Sequence, residues 1–247
     1  MAAATAAYAA AHHADRLRTR AALIDMDGVL YDTMRYHTLA WHRMMSQLGI
    51  DCTHDEFYLY EGMTGAATIN LLFMRAFGHE ATPEQIKELY ARKAAYFQEY
   101  GRKEPMPGAL EMLHAFGTAG ARRVLVTGSG QLSVLESIDR DFPGCIAADM
   151  RVTSRDVVHG KPDPEPYLRG LALAGCAPEE AIVVENAPLG VRAGVASGCF
   201  TVAVTTGPIP REAFSAEGAH LIFPSMNDFA TALPQLIKTR NEWRPQQ

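Results

Sequence analysis

The stretch Leu23-Ile24-Asp25-Met26-Asp27-Gly28-Val29-Leu30-Tyr31-Asp32-Thr33 decides the fold and indicates the chemistry of this chain. Its apolar beginning predicts a buried strand, and Gly28 breaks that strand after two aspartates one residue apart. Asp25 and Asp27 are therefore expected at the mouth of a sheet, where one carboxylate can attack and the other can move a proton. Such a pair suits phosphoryl transfer through an aspartyl-phosphate, with a magnesium ion between protein and phosphate.

The same Asp-x-Asp-Gly pattern also occurs in turns and in calcium loops. A calcium loop needs further oxygen ligands and a closing glutamate at a fixed spacing. The residues that follow Gly28 are apolar and do not resemble that loop. Motifs elsewhere in the chain are therefore needed to distinguish a structural turn from a catalytic pair.

Composition bounds the class of protein. The chain has 247 residues, of which 48% are hydrophobic, enough for one large domain or a core with a smaller insert. Its net charge of −5 argues against a nucleic-acid partner. The four cysteines are scattered, so neither a zinc site nor a disulfide framework is indicated, and a cytoplasmic setting is expected. No apolar stretch approaches the roughly 18 residues of a membrane span, so no membrane partner is expected.

Short apolar strands alternate with helical stretches along most of the chain. Strands are predicted at residues 23–24, 124–126, 181–184, 201–204 and 221–223, and helices at 109–119, 131–138, 164–174 and 189–197. This alternation predicts an α/β fold with a Rossmann-like parallel sheet covered on both faces. In such sheets the ligand lies at the carboxyl ends of the strands.

One long stretch breaks the alternation. Residues 34–104 show helical periodicity without a convincing strand, and Pro83 starts a strong helix there. The prediction is an α-helical cap domain at 34–104, inserted into a core domain formed by 20–33 and 105–247. The cap would form a lid over the end of the first strand. The Ala-rich residues 1–19 are expected to be an extension outside the fold.

Three further motifs carry side chains suited to phosphate or metal. Thr127-Gly128-Ser129-Gly130 follows a strand and forms either a phosphate cradle or an ordinary turn. Lys161 stands in a proline-rich turn that would aim it, although a surface lysine is normally a solvated charge. Glu185-Asn186 ends a strand, either as a polar helix cap or as a source of metal-ligating oxygens.

The order of these motifs is similar to that of the haloacid dehalogenase superfamily, and the chain resembles that superfamily from about residue 20. The position and helical character of the insert resemble the β-phosphoglucomutase-like group. The stretches Glu61-Gly62-Met63-Thr64-Gly65, Val126-Thr127-Gly128-Ser129-Gly130-Gln131 and Glu185-Asn186-Ala187-Pro188-Leu189-Gly190-Val191 are similar to its members that act as inorganic pyrophosphatases.

The resemblance implies roles for the charged residues. Asp25 takes the position of the nucleophile and of a Mg²⁺ ligand. Asp27 takes the position of the general acid/base, with a raised pKa expected, and its backbone carbonyl would bind the metal. Lys161 would neutralise charge shared by Asp25 and the phosphate.

The remaining motif residues follow from the same resemblance. Thr127 and Ser129, with Gly128 between them, lie where the family binds the phosphoryl oxygens. Glu185 and Asn186 match the acidic motif near Mg²⁺. Many relatives have aspartate where this chain has Asn186, so the predicted site has lost one negative charge.

Residues of the insert bear on the substrate. Glu61 is our candidate for supplying the missing charge at the metal when the lid closes; the alternative is an ordinary exposed glutamate. Gly65 stands where the sugar-phosphate mutases of the group have an arginine that grips the far phosphate, which favours a smaller substrate. His37 is also found in the mutases, and Lys93 is a candidate for the cleft although most lysines on such helices are solvated.

The resemblance therefore implies a Mg²⁺-dependent phosphohydrolase with inorganic pyrophosphate as its favoured substrate. The alternatives are a β-phosphoglucomutase, a broad phosphatase of small sugar or nucleotide phosphates, and a non-catalytic binding protein on this fold. A monomer is expected because the lid must move freely.

Overall fold

The computed structural model describes residues 1–100, 104–130 and 132–245. A six-stranded parallel sheet forms the centre, in the order β3-β2-β1-β4-β5-β6. The strands are β1 (Ala21–Ile24), β2 (Arg122–Val126), β3 (Arg151–Val152), β4 (Ala181–Glu185), β5 (Phe200–Val204) and β6 (Leu221–Phe223). The predicted parallel α/β sheet is confirmed. The two-residue edge strand β3 was not predicted because so short a run carries no periodic signal.

Helices cover both faces of the sheet and fill the stretch between β1 and β2. They are α1 (Ala2–Ala11), α2 (Met34–Ser46), α3 (Glu56–Leu59), α4 (Gly65–Phe77), α5 (Pro83–Glu99), α6 (Ala109–Thr118), α7 (Leu132–Asp141), α8 (Glu165–Ala174), α9 (Pro188–Ala196), α10 (Arg211–Ala216) and α11 (Met226–Glu242), with a 3-10 turn at Pro178–Glu180. Gln131, where a helix was predicted to begin, lies outside the described residues.

The sheet is apolar on both faces because helices pack on each. All four residues of β1 and all five of β4 are buried, and they contribute to two hydrophobic clusters on opposite faces. Such continuous apolar runs are typical of central parallel strands. The first strand lies between β2 and β4, so the residues that follow it lie at the middle of the sheet's carboxyl edge.

Helices α2 to α5, which we call the helical insert, have a hydrophobic cluster of their own. Trp41, Phe57, Ile69, Leu72 and Leu89 are among its buried members. Helix α5 begins with a capping box, since the Thr82 hydroxyl accepts from the N–H of Gln85 while the Gln85 side chain accepts from the N–H of Thr82. The insert therefore packs as a helical unit above the carboxyl edge of the sheet.

The expectation that residues 1–19 lie outside the fold is wrong. Helix α1 packs against the core through Tyr8, which is 1% exposed. Leu17, in the segment that follows the helix, is 0% exposed in the same cluster. The Tyr8 hydroxyl donates to the carbonyl of Gly198 at 2.6 Å. The Ala-rich composition hid this packing because small residues permit close approach without giving a strong apolar pattern. Among the described residues, no helix combines the length and the apolar character needed to span a bilayer.

Candidate active site

One cleft between the sheet edge and the helical insert collects most of the predicted site residues. It is lined from the core by Asp25, Asp27, Thr127, Gly128 and Ser129, and from the insert by His37, Glu61 and Lys93, among others. The core residues follow β1 and β2, whose carboxyl ends meet at the same edge because the strands are parallel. The structure therefore brings together residues from distant motifs.

Lys161 lies beside this cleft and is almost completely buried. Its ammonium donates to Oδ1 of Asp25 at 2.6 Å and to the carbonyl of Val126 at 3.1 Å, and it forms an ion pair with Oε1 of Glu185 at 2.6 Å. The two carboxylates raise the pKa of Lys161 above its usual range despite burial, which acts in the opposite direction. A fixed positive charge is thus held against one oxygen of Asp25.

Asp25 itself is buried at the end of β1. Burial raises its pKa to about 8, and the charges of Glu185 and Asp27 act in the same direction against Lys161. A second cation near Asp25 would offset this clustering of negative charge. The side chain is 5% exposed, so it reaches the cleft while most of its surface is in contact with protein.

Asp27 is held by a chain of polar contacts from the insert. His37 Nε2 lies 3.0 Å from Oδ1 of Asp27, and Lys93 Nζ lies 2.6 Å from Nδ1 of His37. The hydroxyl of Thr33 donates to the same Asp27 oxygen at 2.5 Å. Although burial acts to raise it, these partners lower the pKa of Asp27 to about 2, so the expected raised pKa is wrong for this arrangement.

Glu61 projects from the insert toward the same carboxylates. Burial raises its pKa to about 8, and the charges of Asp27 and Asp25 act in the same direction. Lys93 and Lys161 oppose that shift. Glu61 therefore lies close enough to Asp25 and Asp27 for their negative charges to act on its carboxyl group.

The turn after β2 offers backbone and hydroxyl groups to the cleft. Thr127 is 4% exposed, and its hydroxyl accepts from the N–H of Ser129 at 3.0 Å. A Cβ on Gly128 would lie 2.9 Å from the carbonyl oxygens of Gly62 and Met63. Gly128 therefore lets the insert backbone approach the turn closely.

Asn186 provides the observation that tests a metal site. Its side-chain amide is buried, and neither Oδ1 nor Nδ2 has a hydrogen-bond partner within the described ranges. A buried, unsatisfied amide oxygen is a good oxygen donor for a hard cation. Within the same ranges, no cluster of three or more His, Cys, Asp or Glu side chains is arranged to hold a metal. The fit to Mg²⁺ therefore rests on a mixed set of donors: the Asp25 carboxylate, the Asp27 carbonyl and the Asn186 amide.

Two residues that the sequence analysis missed complete the site. Thr33 holds Asp27, and Tyr167 on α8 donates through its hydroxyl to Oε1 of Glu185 at 2.5 Å. Tyr167 is fully buried. A Tyr six residues after Lys161 carries no motif signal, whereas Thr33 closes the stretch that decides the fold and was a detectable candidate.

Comparison with known proteins agrees with this geometry. Residues 19–198 match the haloacid dehalogenase-like hydrolase family. The chain is 31% identical to hexitol phosphatase A of Escherichia coli strain K12, over 76% of this chain and 84% of that protein. It is 27% identical to the β-phosphoglucomutase of Bacillus subtilis strain 168, over 76% and 84%.

A solved structure extends the likeness to the whole fold. The protein described as "Putative beta-phosphoglucomutase from Bacteroides vulgatus" is 43% identical, with 98% of each chain covered and a TM-score of 0.93. The family match spans well over half of the chain, and this second likeness includes the helical insert. The chain therefore belongs to the haloacid dehalogenase-like hydrolases, in their β-phosphoglucomutase-like group.

Proposed function

We propose that this chain is a Mg²⁺-dependent phosphohydrolase that acts on a small substrate through a phosphoryl group carried by Asp25, with inorganic pyrophosphate as the favoured substrate. The observation that carries the hydrolase proposal is the buried Asp25–Lys161 pair, with Nζ and Oδ1 2.6 Å apart, at the mouth of the sheet. A binding module has no need of a desolvated carboxylate held in this way, because its burial costs free energy.

The residues divide the reaction between them. A carboxylate oxygen of Asp25 bonds to phosphorus while the bond from phosphorus to the leaving oxygen breaks, and the proton held between His37 and Asp27 passes through Asp27 to the leaving oxygen. Water then attacks the phosphorus of the aspartyl-phosphate and gives a proton to Asp27; this step releases orthophosphate and restores Asp25. Lys161 offsets negative charge throughout, and Thr127 and Ser129 bind the phosphoryl oxygens.

The residues suited to Mg²⁺ are Asp25, Asn186 and the carbonyl of Asp27, with Glu185 and Glu61 as neighbours. When bound there, Mg²⁺ would supply charge neutralisation for the phosphate and the carboxylates. A cation beside Glu61 would oppose the effect of burial on its pKa and favour the charged form. In that form Glu61 would restore the negative charge that Asn186 lacks relative to an aspartate.

Pyrophosphate is favoured by the size of the cleft and by its walls. The cavity volume is about 40 Å³, and a water molecule takes roughly 10–15 Å³ on the same measure. A hexose phosphate would need a much larger displacement of the insert than pyrophosphate does. Gly65 also places no cation in the cleft to anchor a sugar's second phosphate. We further propose that the helical insert acts as a movable cap and that the chain works as a cytoplasmic monomer.

The names of the relatives favour a second candidate, a phosphatase of phosphorylated carbohydrates. Hexitol phosphatase A is such a relative, and another is the phosphorylated carbohydrates phosphatase of Thermotoga maritima. A β-phosphoglucomutase is the third, since one relative carries that name. These candidates differ in substrate and in the fate of the phosphoryl group, so one set of assays separates them.

The test measures phosphate release with Mg²⁺ from pyrophosphate, β-glucose 1-phosphate, glucose 6-phosphate and a nucleoside monophosphate, beside a coupled assay for glucose 6-phosphate formation. We expect kcat/KM for pyrophosphate to exceed the others at least about tenfold. Rapid turnover of a sugar phosphate with little pyrophosphate cleavage would favour the second candidate, and glucose 6-phosphate formation would favour the mutase.

Two variants test the assigned roles. Asp25→Asn should lower turnover about a thousandfold or more while the thermal unfolding midpoint is retained. Glu61→Gln should weaken the Mg²⁺ dependence of both turnover and thermal stability. If Glu61→Gln left both intact, its proposed role at the metal would be wrong while the role of Asp25 would stand.

A further inference from the structure

We propose that Tyr90 is a specificity-determining wall that limits substrate length by separating the catalytic cleft from a second groove. This proposal rests on the proposed function only in taking the cleft around Asp25 as the substrate site. It identifies the residue that keeps the cleft small and the place where a longer substrate would extend.

Three residues of α5 lead from inside the cleft to the outside. Tyr90 is three residues away from both Lys87 and Lys93, so its side chain neighbours each of them on the helix surface. Lys93 is 2% exposed and contacts His37 inside the cleft. Lys87 is exposed, and about 9 Å of helix separates it from Lys93 at 1.5 Å per residue. Tyr90 stands between the two lysines.

Tyr90 contributes to both cavities. It lines the catalytic cleft together with Gly65. The same two residues line a groove of about 340 Å³ between the insert and the loop that carries Ser154 and Val158, and Lys87 lies on that groove. The ring of Tyr90 and the backbone of Gly65 are therefore the boundary between a cavity of about 40 Å³ and a larger open one.

Gly65 and Tyr90 are matched in shape. A Cβ built on Gly65 would lie 2.2 Å from Cδ2 and 2.3 Å from Cε2 of Tyr90. The ring therefore occupies the space into which any side chain at position 65 would begin to grow. Trp41 supports the ring on the insert side, with centroids 6.4 Å apart. The glycine and the aromatic ring therefore pack closely where the two cavities meet.

The consequence for substrate choice is direct. With the ring in place, a bound substrate whose leaving group is longer than a phosphate would collide with Tyr90 a short distance from the catalytic carboxylates. Without the ring, the cleft continues into the groove, where the ammonium of Lys87 would meet an anionic group at the far end of the substrate. Removal of the ring should thus favour longer phosphomonoesters, and bisphosphates most of all.

The experiment compares kcat/KM, with Mg²⁺, for glycerol 3-phosphate and fructose 1,6-bisphosphate in the full chain. Tyr90→Ala should raise the ratio of bisphosphate to glycerol phosphate at least about tenfold, and Tyr90→Phe, which keeps the ring, should leave it within about twofold. Lys87→Gln should remove most of the gain in the Tyr90→Ala background and leave the wild-type ratio unchanged. If Tyr90→Ala leaves the ratio of bisphosphate to glycerol phosphate unchanged, Tyr90 does not limit substrate length. If Lys87→Gln does not reduce the gain seen with Tyr90→Ala, Lys87 does not bind the far anionic group.

Two further measurements keep the test independent of turnover and of folding. On an Asp25→Asn background, fructose 1,6-bisphosphate should bind at least about tenfold more tightly when Tyr90 is alanine; equal affinity would contradict the proposal. Gly65→Ala should lower the unfolding midpoint when Tyr90 is present and have little effect when Tyr90 is alanine; equal effects would show that the two residues do not close the wall.

These readouts separate the wall from the proposed function. The ratio compares two phosphomonoesters, so it can be measured whether or not pyrophosphate is the preferred substrate. If the chain fails to cleave pyrophosphate, that substrate is wrong, and the ratio of the two kcat/KM values still tests Tyr90. If the chain cleaves pyrophosphate but the ratio is the same with and without the Tyr90 ring, only the role of Tyr90 is wrong.

Discussion

The hydroxyl of Tyr167 and the carboxylate of Glu185 meet in a hydrogen bond of 2.5 Å beneath the active site. The oxygen that accepts it, Oε1, also lies 2.6 Å from Nζ of Lys161. Lys161 in turn contacts Asp25. A buried line of contacts therefore runs from α8 to the proposed nucleophile, and each member fixes the position of the next.

Removing the Tyr167 hydroxyl should lower both stability and turnover. A hydrogen bond to a charged, buried carboxylate contributes about 1.5–3 kcal/mol, so Tyr167→Phe should reduce the free energy of unfolding in urea by about that amount. Because Glu185 then holds Lys161 less firmly, kcat should fall about tenfold while KM stays within about twofold.

Tyr31→Phe is the matched control for that change. Its hydroxyl donates to Oδ2 of Asp141 at 3.1 Å, and Tyr31 is as fully buried as Tyr167. The control should lose stability without the fall in kcat. Equal falls in kcat for both variants would show that Tyr167 acts through general stability rather than through Glu185.

The contact between Gly160 and Thr64 should determine how closely the helical insert packs against the core. A Cβ on Gly160 would lie 2.6 Å from Cγ2 of Thr64, so Gly160→Ala should hold the insert away and lower kcat/KM about 10- to 100-fold. Thr64→Ser removes that methyl group and keeps the hydroxyl that caps α4 by accepting from Ala67. The double variant should recover part of the activity, because the backbone N of Thr64 would still lie 3.1 Å from the added Cβ. A double variant no better than Gly160→Ala would show that the Thr64 methyl group is not what holds the insert away.

Local sequence was sufficient to predict the sheet and the proximity of the core residues of the candidate site. The central strands contain apolar runs, which cover all of β1, the last three residues of β2 and the first four of β4, and polar residues come at or directly after the ends of these strands. Parallel strands carry such residues to one edge, so their proximity follows from the topology.

The contacts across the insert were not predictable in the same way. Lys93 and His37 are 56 positions apart and meet only because α2 and α5 pack together. On a helical pattern, a lysine such as Lys93 is indistinguishable from a solvated one. The pKa of Asp27 depends on these partners, and for that reason the expectation of a raised value was wrong. The packing of Tyr90 against Gly65 also depends on tertiary structure alone.

Tyr8 should anchor helix α1 without affecting catalysis. Its ring covers Arg240, which is fully buried with its guanidinium carbon 5.4 Å from the ring centroid. Tyr8→Ala should lower the free energy of unfolding by about 3–5 kcal/mol, as expected for a buried aromatic residue, and Tyr8→Phe by about 1 kcal/mol for the lost bond to Gly198. Urea unfolding and kcat/KM measure the two effects. A Tyr8→Ala protein as stable as the wild type would show that Tyr8 does not anchor α1.

His220 should make stability depend on pH in a defined window. Its Nδ1 accepts from the N–H of Thr201 at 3.0 Å, and burial lowers its pKa to about 4 from 6.5. Between these values the unfolded chain binds the proton that the folded protein excludes, so this contribution is complete above pH 6.5 and is lost as the pH falls toward 4. His220→Phe keeps the stacking on Phe200 and loses the titration and the acceptor. The difference in free energy of unfolding between the wild type and His220→Phe should therefore fall by up to about 3 kcal/mol from pH 7 to pH 4. At the acid end of this range the variant should be the more stable protein. Parallel stability curves for the two proteins over this range would show that His220 binds its proton equally well in the folded state.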